Sequence, residues 1–176
     1  MDQQIDQRSL SILIPARTRQ FCLRAEGWAR ERSSQARSLW AKSGDGTDFL
    51  TLPQHMVDSA CAASFLFNSW LAPSVKRYLS AALGIGETGV EALYVWLAGV
   101  HDIGKGIRTF QRLLLASDKA HLVLAVSDAG LDIDLSIDEA NFEKLPHSVA
   151  SGEILALWLR ARGIPLPQAN SLAAVV

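Results

Sequence analysis

The chain has 176 residues, 49% of them hydrophobic and 20% charged, with a formal net charge of −1. That length suits one domain hiding roughly 70% of the surface its unfolded chain exposes, and that composition excludes intrinsic disorder. The longest apolar stretch, Leu93 to Val100, is far short of the roughly 18–20 residues a bilayer crossing needs, so no transmembrane segment is predicted. Asp2 and Asp6 precede any apolar run, no secretory signal is visible, and a cytoplasmic location is expected. Near-neutral charge argues against a broad cationic surface, so any nucleic-acid partner has to be held by a localised site or another subunit.

Charge is unevenly distributed. Residues 1–42 carry eight Lys or Arg against four acids, a balance of +4, and residues 118–143 carry seven acids against Lys119, a balance of −6. Solvated surface is the plain reading of both, and a contact between the basic arm and a phosphate backbone or acidic partner is the sharper one. Residues 1–35 form a basic extension without a placed motif. Cys22 and Cys61 are too few for a disulfide scaffold and lack zinc-knuckle spacing, so both are expected to be small buried residues.

Helical periodicity dominates and predicts an all-α fold. Helices are expected at about 22–41, 53–71, 73–83, 89–102, 107–116, 119–127 and 146–162, with another beginning near Gln168. Pro53, Pro73 and Pro146 each open a periodic segment, where a missing backbone N–H costs nothing. The stretch Gly84 to Gly89 reads as a loop, and Gly163 with Pro165 and Pro167 ends the penultimate helix. Leu131, Ile133, Leu135 and Ile137 alternate with polar residues, which predicts one short strand near 131–137 inside the acidic segment. A second short strand is read at Ile12 to Ile14.

Four histidines are present, and a single histidine is more often satisfied or exposed than functional. Three share a context that changes this. His101 follows Leu93, Leu97 and Val100 on a core-facing stripe beside Asp102, and burying both groups is costly unless they satisfy each other or bind a cation. His147 starts a stripe continued by Ala150, Ile154 and Trp158. His55 lies two residues after Pro53, with Asp58 at i+3 and Ala62 and Leu66 on the same face. Three helices thus each offer an inward histidine near an end, as when a helical bundle builds a metal site, and imidazole with carboxylate suits first-row transition metals. His121 has no such setting and reads as a surface or packing residue.

The order His55, His101-Asp102, His147 resembles the HD metal-dependent phosphohydrolase superfamily. The strings Trp40-Ala41-Lys42-Ser43, Leu52-Pro53-Gln54-His55-Met56-Val57-Asp58-Ser59-Ala60, His101-Asp102-Ile103-Gly104-Lys105, Phe110-Gln111 and His147-Ser148-Val149-Ala150-Ser151 narrow this. Over residues 36–176 the chain is similar to the HD nuclease domain of the nuclease-helicase of type I CRISPR interference, most like its subtype I-E form. The resemblance implies a helical HD bundle and a metal-dependent nuclease acting in antiviral defence. Its substrate would be single-stranded DNA, delivered by an RNA-guided surveillance complex and fed by a helicase module of the same protein. It further implies two divalent transition metal ions (Fe, Mn, Co, Ni or Zn). By the same resemblance, His55, His101 and Asp102 would belong to one metal, Asp102 would bridge, His147 would belong to the second, and Lys105 would lie near the scissile phosphate.

The family pattern continues with a Gly-x-His-His-Gly motif and a later aspartate, neither of which occurs before Val176, so a piece of a longer protein is expected. Arg108 and Arg112, four apart, read as guides for the strand or as a solvated face. Phe110 reads as a base-stacking residue or a buried anchor, and Asp58 as a group orienting a ligand histidine or a solvated helix residue. Two other functions fit the same residues: an HD phosphohydrolase acting on nucleotides or cyclic dinucleotides, and a catalytically incomplete docking module that holds a partner such as an inhibitor protein.

Overall fold

The computed structural model describes residues 14–45, 48–133, 135 and 145–176. The fold is mainly helical, with one two-stranded sheet among the described residues. Helix α1 spans Ala16–Arg30 and α2 spans Ser34–Ser38, whose first turn is capped by the Ser33 hydroxyl accepting from Ala36 N–H at 3.3 Å. Strand β1 (Trp40–Ser43) runs antiparallel to β2 (Phe49–Thr51), with Trp40 opposite Thr51 and Lys42 opposite Leu50. The helix expected over 22–41 is therefore two helices and a strand. Buried Trp40 and Ala41 enter the core from an extended backbone that helical spacing does not register.

The hairpin leads directly into α3 (Leu52–Ser69). The Thr51 hydroxyl caps its start by accepting from Gln54 N–H at 3.3 Å, and Pro53 sits in the first turn, where no N–H is needed. Helices α4 (Pro73–Leu83) and α5 (Glu87–Val100) follow, separated by Gly84, whose φ of 66° suits a residue without a side chain. Gly99 on α5 lets the helix lie close to α3, where a Cβ would stand 3.4 Å from the Ala60 methyl. After α5 come His101, Asp102 and a 3-10 turn over Ile103–Gly106, then α6 (Arg108–Gln111). The helix expected at 107–116 is thus one turn long. The remaining elements are α7 (Ala120–Asp128), α8 (His147–Ala161) and α9 (Leu166–Ala173).

The strand expected near 131–137 is not formed at Leu131–Ile133 or Leu135, where buried Ile133 packs on α7 from irregular backbone; positions 134, 136 and 137 lie outside the described residues. The strand expected at Ile12–Ile14 falls on residues 12 and 13, also outside them, and Ile14 is in no strand.

Two apolar clusters flank the centre of the molecule. Trp40, Leu122, Val123, Val126 and Ile133 join the hairpin to α7, and Leu155, Leu159, Ala169 and Ala173 join α8 to α9. A polar seam fastens α1 to α3 and α5. Thr18 and Ser64 hydroxyls meet at 3.1 Å, Asn68 Nδ2 donates to Glu91 Oε1 at 2.8 Å, and Arg17 lies 2.8 Å from Glu91 Oε2. Cys22 on α1 and Cys61 on α3 are joined in a disulfide, their Cα atoms 5.5 Å apart, which corrects the reading of two separate buried thiols. Their separation of 39 residues hides a pairing that only helix packing creates. No helix among the described residues is long and apolar enough to cross a membrane.

Candidate metal centre

Three helix ends converge on one carboxylate. The first turn of α3 supplies His55, the end of α5 supplies His101 and Asp102, and the first residue of α8 supplies His147. Asp102 Oδ2 lies 2.7 Å from His55 Nε2, 3.3 Å from His101 Nε2 and 2.7 Å from Lys105 Nζ, while Oδ1 lies 3.4 Å from His147 Nε2. The carboxylate therefore faces two histidines through one oxygen and the third through the other. The His55 side chain is 7% exposed and those of His101 and His147 are 42% and 40% exposed, so the cluster has a buried floor and an open mouth. His101 consequently faces solvent more than its core-facing stripe predicts.

Burial holds the His55 pKa below its usual 6.5, the Asp102 hydrogen bond opposing it only in part, so the imidazole is neutral near pH 7, with Nε2–H donating to Asp102 Oδ2. Burial alone pushes the Asp102 pKa up. Hydrogen bonds from Lys105 and His55 and the nearby His101 outweigh it, and the carboxyl is lowered to about 2. His101 Nδ1–H donates to the Ala98 carbonyl at 2.7 Å, which leaves Nε2 as the lone-pair nitrogen on the Asp102 side. Ligand atoms of His55, His101 and Asp102 all lie within 4.8 Å of one another. Two imidazoles and a carboxylate, one tautomer already fixed, fit a divalent transition metal.

Two buried clamps hold this geometry. Gly104 N–H donates to the Ser151 hydroxyl at 2.9 Å, locking the 3-10 turn onto the second turn of α8. A Cβ on Gly104 would fall on the His147 carbonyl oxygen, so only glycine permits this approach. The second clamp is Gln111, which is fully buried. Its Nε2 donates to the carbonyls of Trp40 (2.8 Å) and Lys105 (2.7 Å), its Oε1 accepts from Trp40 N–H (3.1 Å), and its own carbonyl accepts from Trp40 Nε1–H (3.1 Å). The hairpin thereby fixes the Lys105 backbone and, through it, the ammonium on Asp102. Phe110 packs its ring on Trp40 (centroids 4.5 Å apart), meets His147 edge-on at 5.4 Å and lies 5.7 Å from Lys105 Nζ.

The remaining candidates fall outside the cluster. Asp58 is exposed and accepts from Gln54 Nε2 at 2.9 Å. Arg108 is exposed and paired with Asp132 at 2.8 Å, whereas Arg112 is buried and so leaves the face shared with Arg108. His121 is exposed on α7. The clamp residues Gln111, Gly104 and Ser151 lie within the motif strings, but no spacing rule assigns them a role.

Residues 40–176 match the family described as Cas3, HD domain. The chain belongs to that family. Among curated proteins it is similar to the CRISPR-associated endonuclease/helicase Cas3 of Thermus thermophilus, 32% identical over 142 residues, which is 80% of this chain and 14% of that protein. It is also similar to the CRISPR-associated nuclease/helicase Cas3 of Streptococcus thermophilus, 26% identical over 136 residues, 73% of this chain and 14% of the relative. The chain thus spans about one seventh of the length of these relatives. No solved structure gives a significant match. HD domains bind divalent metals, and in this Cas3 HD chain the His55, His101 and Asp102 cluster supplies a donor set of that kind.

Proposed function

We propose that this chain is the HD nuclease portion of a Cas3 protein, residues 36–176 forming the HD unit, and that it hydrolyses phosphodiester bonds of single-stranded DNA during CRISPR interference. A helicase module of the same protein feeds the strand, and an RNA-guided surveillance complex, of subtype I-E by the motif strings, recruits it in the cytoplasm. The observation that carries the reading is the division of Asp102, one oxygen toward His55 and His101 and the other toward His147, which suits a carboxylate shared between two metal positions.

His55, His101 and Asp102 would hold one metal, and His147 with Asp102 would contribute to a second. Bound there, divalent metals would supply Lewis acidity, making water more acidic and screening phosphate charge. Lys105, fixed by the Gln111 clamp, places an ammonium against the charge that builds on the phosphate as water adds and the sugar oxygen leaves. His101 and His147, at the open mouth, face the incoming strand.

The test compares wild-type protein with Asp102→Ala in Mn2+, using a labelled single-stranded oligonucleotide, a duplex, and free nucleoside triphosphates and cyclic dinucleotides. Cleavage confined to the single strand and lost in the variant supports the reading. Hydrolysis of nucleotides with the strand intact moves the function to a nucleotide phosphohydrolase, and full cleavage by Asp102→Ala refutes the assignment.

A further inference from the structure

Beside the carboxylate cluster lies a small apolar cavity of about 210 Å³, lined by Thr109, Phe110, Leu113, Leu145, Pro146 and His147. We propose that it is a nucleobase subsite that takes one unpaired base of the strand next to the scissile phosphate, whatever the base identity. The inference rests on the single-strand nuclease reading above and adds the way the strand is gripped.

The placement comes from shared residues. His147 lines the cavity and also stands 3.4 Å from Asp102 Oδ1. Phe110 lines it too, with its ring 5.4 Å from the His147 ring and 5.7 Å from the Lys105 ammonium, which itself lies 2.7 Å from Asp102 Oδ2. A phosphate drawn to Lys105 and the Asp102 cluster therefore has an aromatic and aliphatic recess immediately at its side. Trp40 packs on the Phe110 ring from the core, so the aromatic wall is held rigid before any ligand arrives.

Size and chemistry select the occupant. The cavity is below the roughly 300–1,000 Å³ of sites for drug-sized ligands, which leaves room for one planar ring system and none for a base pair. Leu113, Leu145 and Pro146 have no side-chain polar groups, and Phe110 offers only a ring, so the wall stacks a base without reading its hydrogen-bonding edge. Thr109 and His147 supply the polar side chains among the described lining residues, and His147 turns its Nε2 toward Asp102. A duplex end has to fray before a base can enter, which makes single-strandedness a requirement of the pocket as well as of the metal-side chemistry.

Photo-crosslinking tests this without depending on turnover. Short single-stranded oligonucleotides carrying one 5-iodouracil, moved a position at a time, are bound to the chain and irradiated, and mass spectrometry locates the adduct. One position is expected to crosslink to Phe110 or to the Leu113 and Leu145 walls. An abasic sugar at that position should weaken binding by roughly 5- to 150-fold, the range of one base–aromatic stack, and other positions should matter much less. Leu113 is 53% exposed, so Leu113→Trp should fill the recess without disturbing the fold. Its melting temperature and Mn2+ affinity should match wild type while the crosslink and the abasic penalty disappear. Adducts found only elsewhere, an abasic penalty at no single position, or no strand binding overturn the subsite. Cleavage without these signatures overturns the subsite and leaves the nuclease reading standing. The signatures without cleavage do the reverse.

Discussion

Gly104→Ala isolates the contact between the 3-10 turn and α8 from the ligands themselves. The new methyl would fall on the His147 carbonyl oxygen, 2.5 Å from the Ser151 nitrogen and 2.8 Å from the Ser151 hydroxyl. These obstacles are mainly backbone in the first turns of α8 and cannot swing aside as a side-chain tip does. Restoring ordinary contacts of about 3.5–4.0 Å requires the turn and the helix to part by about 1 Å or more. Overpacking of that kind costs about 1–3 kcal/mol, and losing the Gly104 N–H to Ser151 bond strands a buried donor at about 1–3 kcal/mol more. The total, about 2–6 kcal/mol, is a large fraction of the roughly 5–15 kcal/mol that holds a domain folded. Ser151→Ala removes only the acceptor and should cost about 1–3 kcal/mol. Urea midpoints followed by circular dichroism, with Mn2+ affinity by calorimetry, should rank wild type above Ser151→Ala and Ser151→Ala above Gly104→Ala in both quantities, because His147 and Asp102 move apart with the turn. A Gly104→Ala protein with a wild-type midpoint and affinity would refute the clamp.

Acid should destabilise the metal-free protein in two stages of the same sign. His55, held below 6.5, lets the unfolded chain take the proton first, so stability falls as pH drops below about 6.5. Asp102, at about 2 against an ordinary 3.8, contributes stability that is complete above about pH 4 and is lost toward pH 2, and Asp102→Asn should remove that lower stage in a pH series of melts. Lys105→Met removes an ammonium 2.7 Å from Asp102. With like charges repelling by about 4 kcal/mol at about 4 Å near a protein surface, Mn2+ affinity should rise at least roughly ten-fold while strand cleavage falls, and calorimetry beside a gel assay reads both. Gln111→Leu strands the Trp40 N–H and the Trp40 and Lys105 carbonyls, at a cost of about 3 kcal/mol or more by urea titration. Reducing the Cys22–Cys61 bond frees a loop with a separation of 39 residues and should lower stability by up to about 4 kcal/mol, with thiol counting to confirm reduction.

Most helices were legible because proline in a first turn, as in α3 and α4, or just before it, as in α8, and an apolar stripe behind it are local signals. The hairpin was not. Trp40 and Ala41 continue a helical spacing from α1 and α2, and only pairing with Phe49–Thr51 shows that they are extended. His55, His101, Asp102 and His147 come together because each lies at a helix end, a position that is readable from proline and glycine signals, although His101 and His147 are more open to solvent than an inward stripe implies. The partners that hold them escape such signals. Gln111 acts across a separation of 71 residues and Ser151 across 47, and neither bond leaves a trace in periodicity or charge. The Cys22–Cys61 pair is of the same kind, since packing of α1 on α3 decides it. Asp58 is solvated, one of the two readings open to it, whereas Arg112 is buried, which helical spacing from Arg108 does not foretell.

The groups around Asp102 come from parts of the chain that meet only in the finished fold. His55 and Asp102 are 47 residues apart, and an unfolded chain holds only the neighbouring His101 and Asp102 together. An ion that needs all these donors recognises the native protein alone, so its affinity is drawn from the same free energy as folding. At a free concentration 100 times its dissociation constant, such an ion would favour the folded chain by about 2.7 kcal/mol. Metal supply would then set how long the protein lasts: a metal-starved pool would open more often and become prey to proteases, so its abundance would follow the metal concentration.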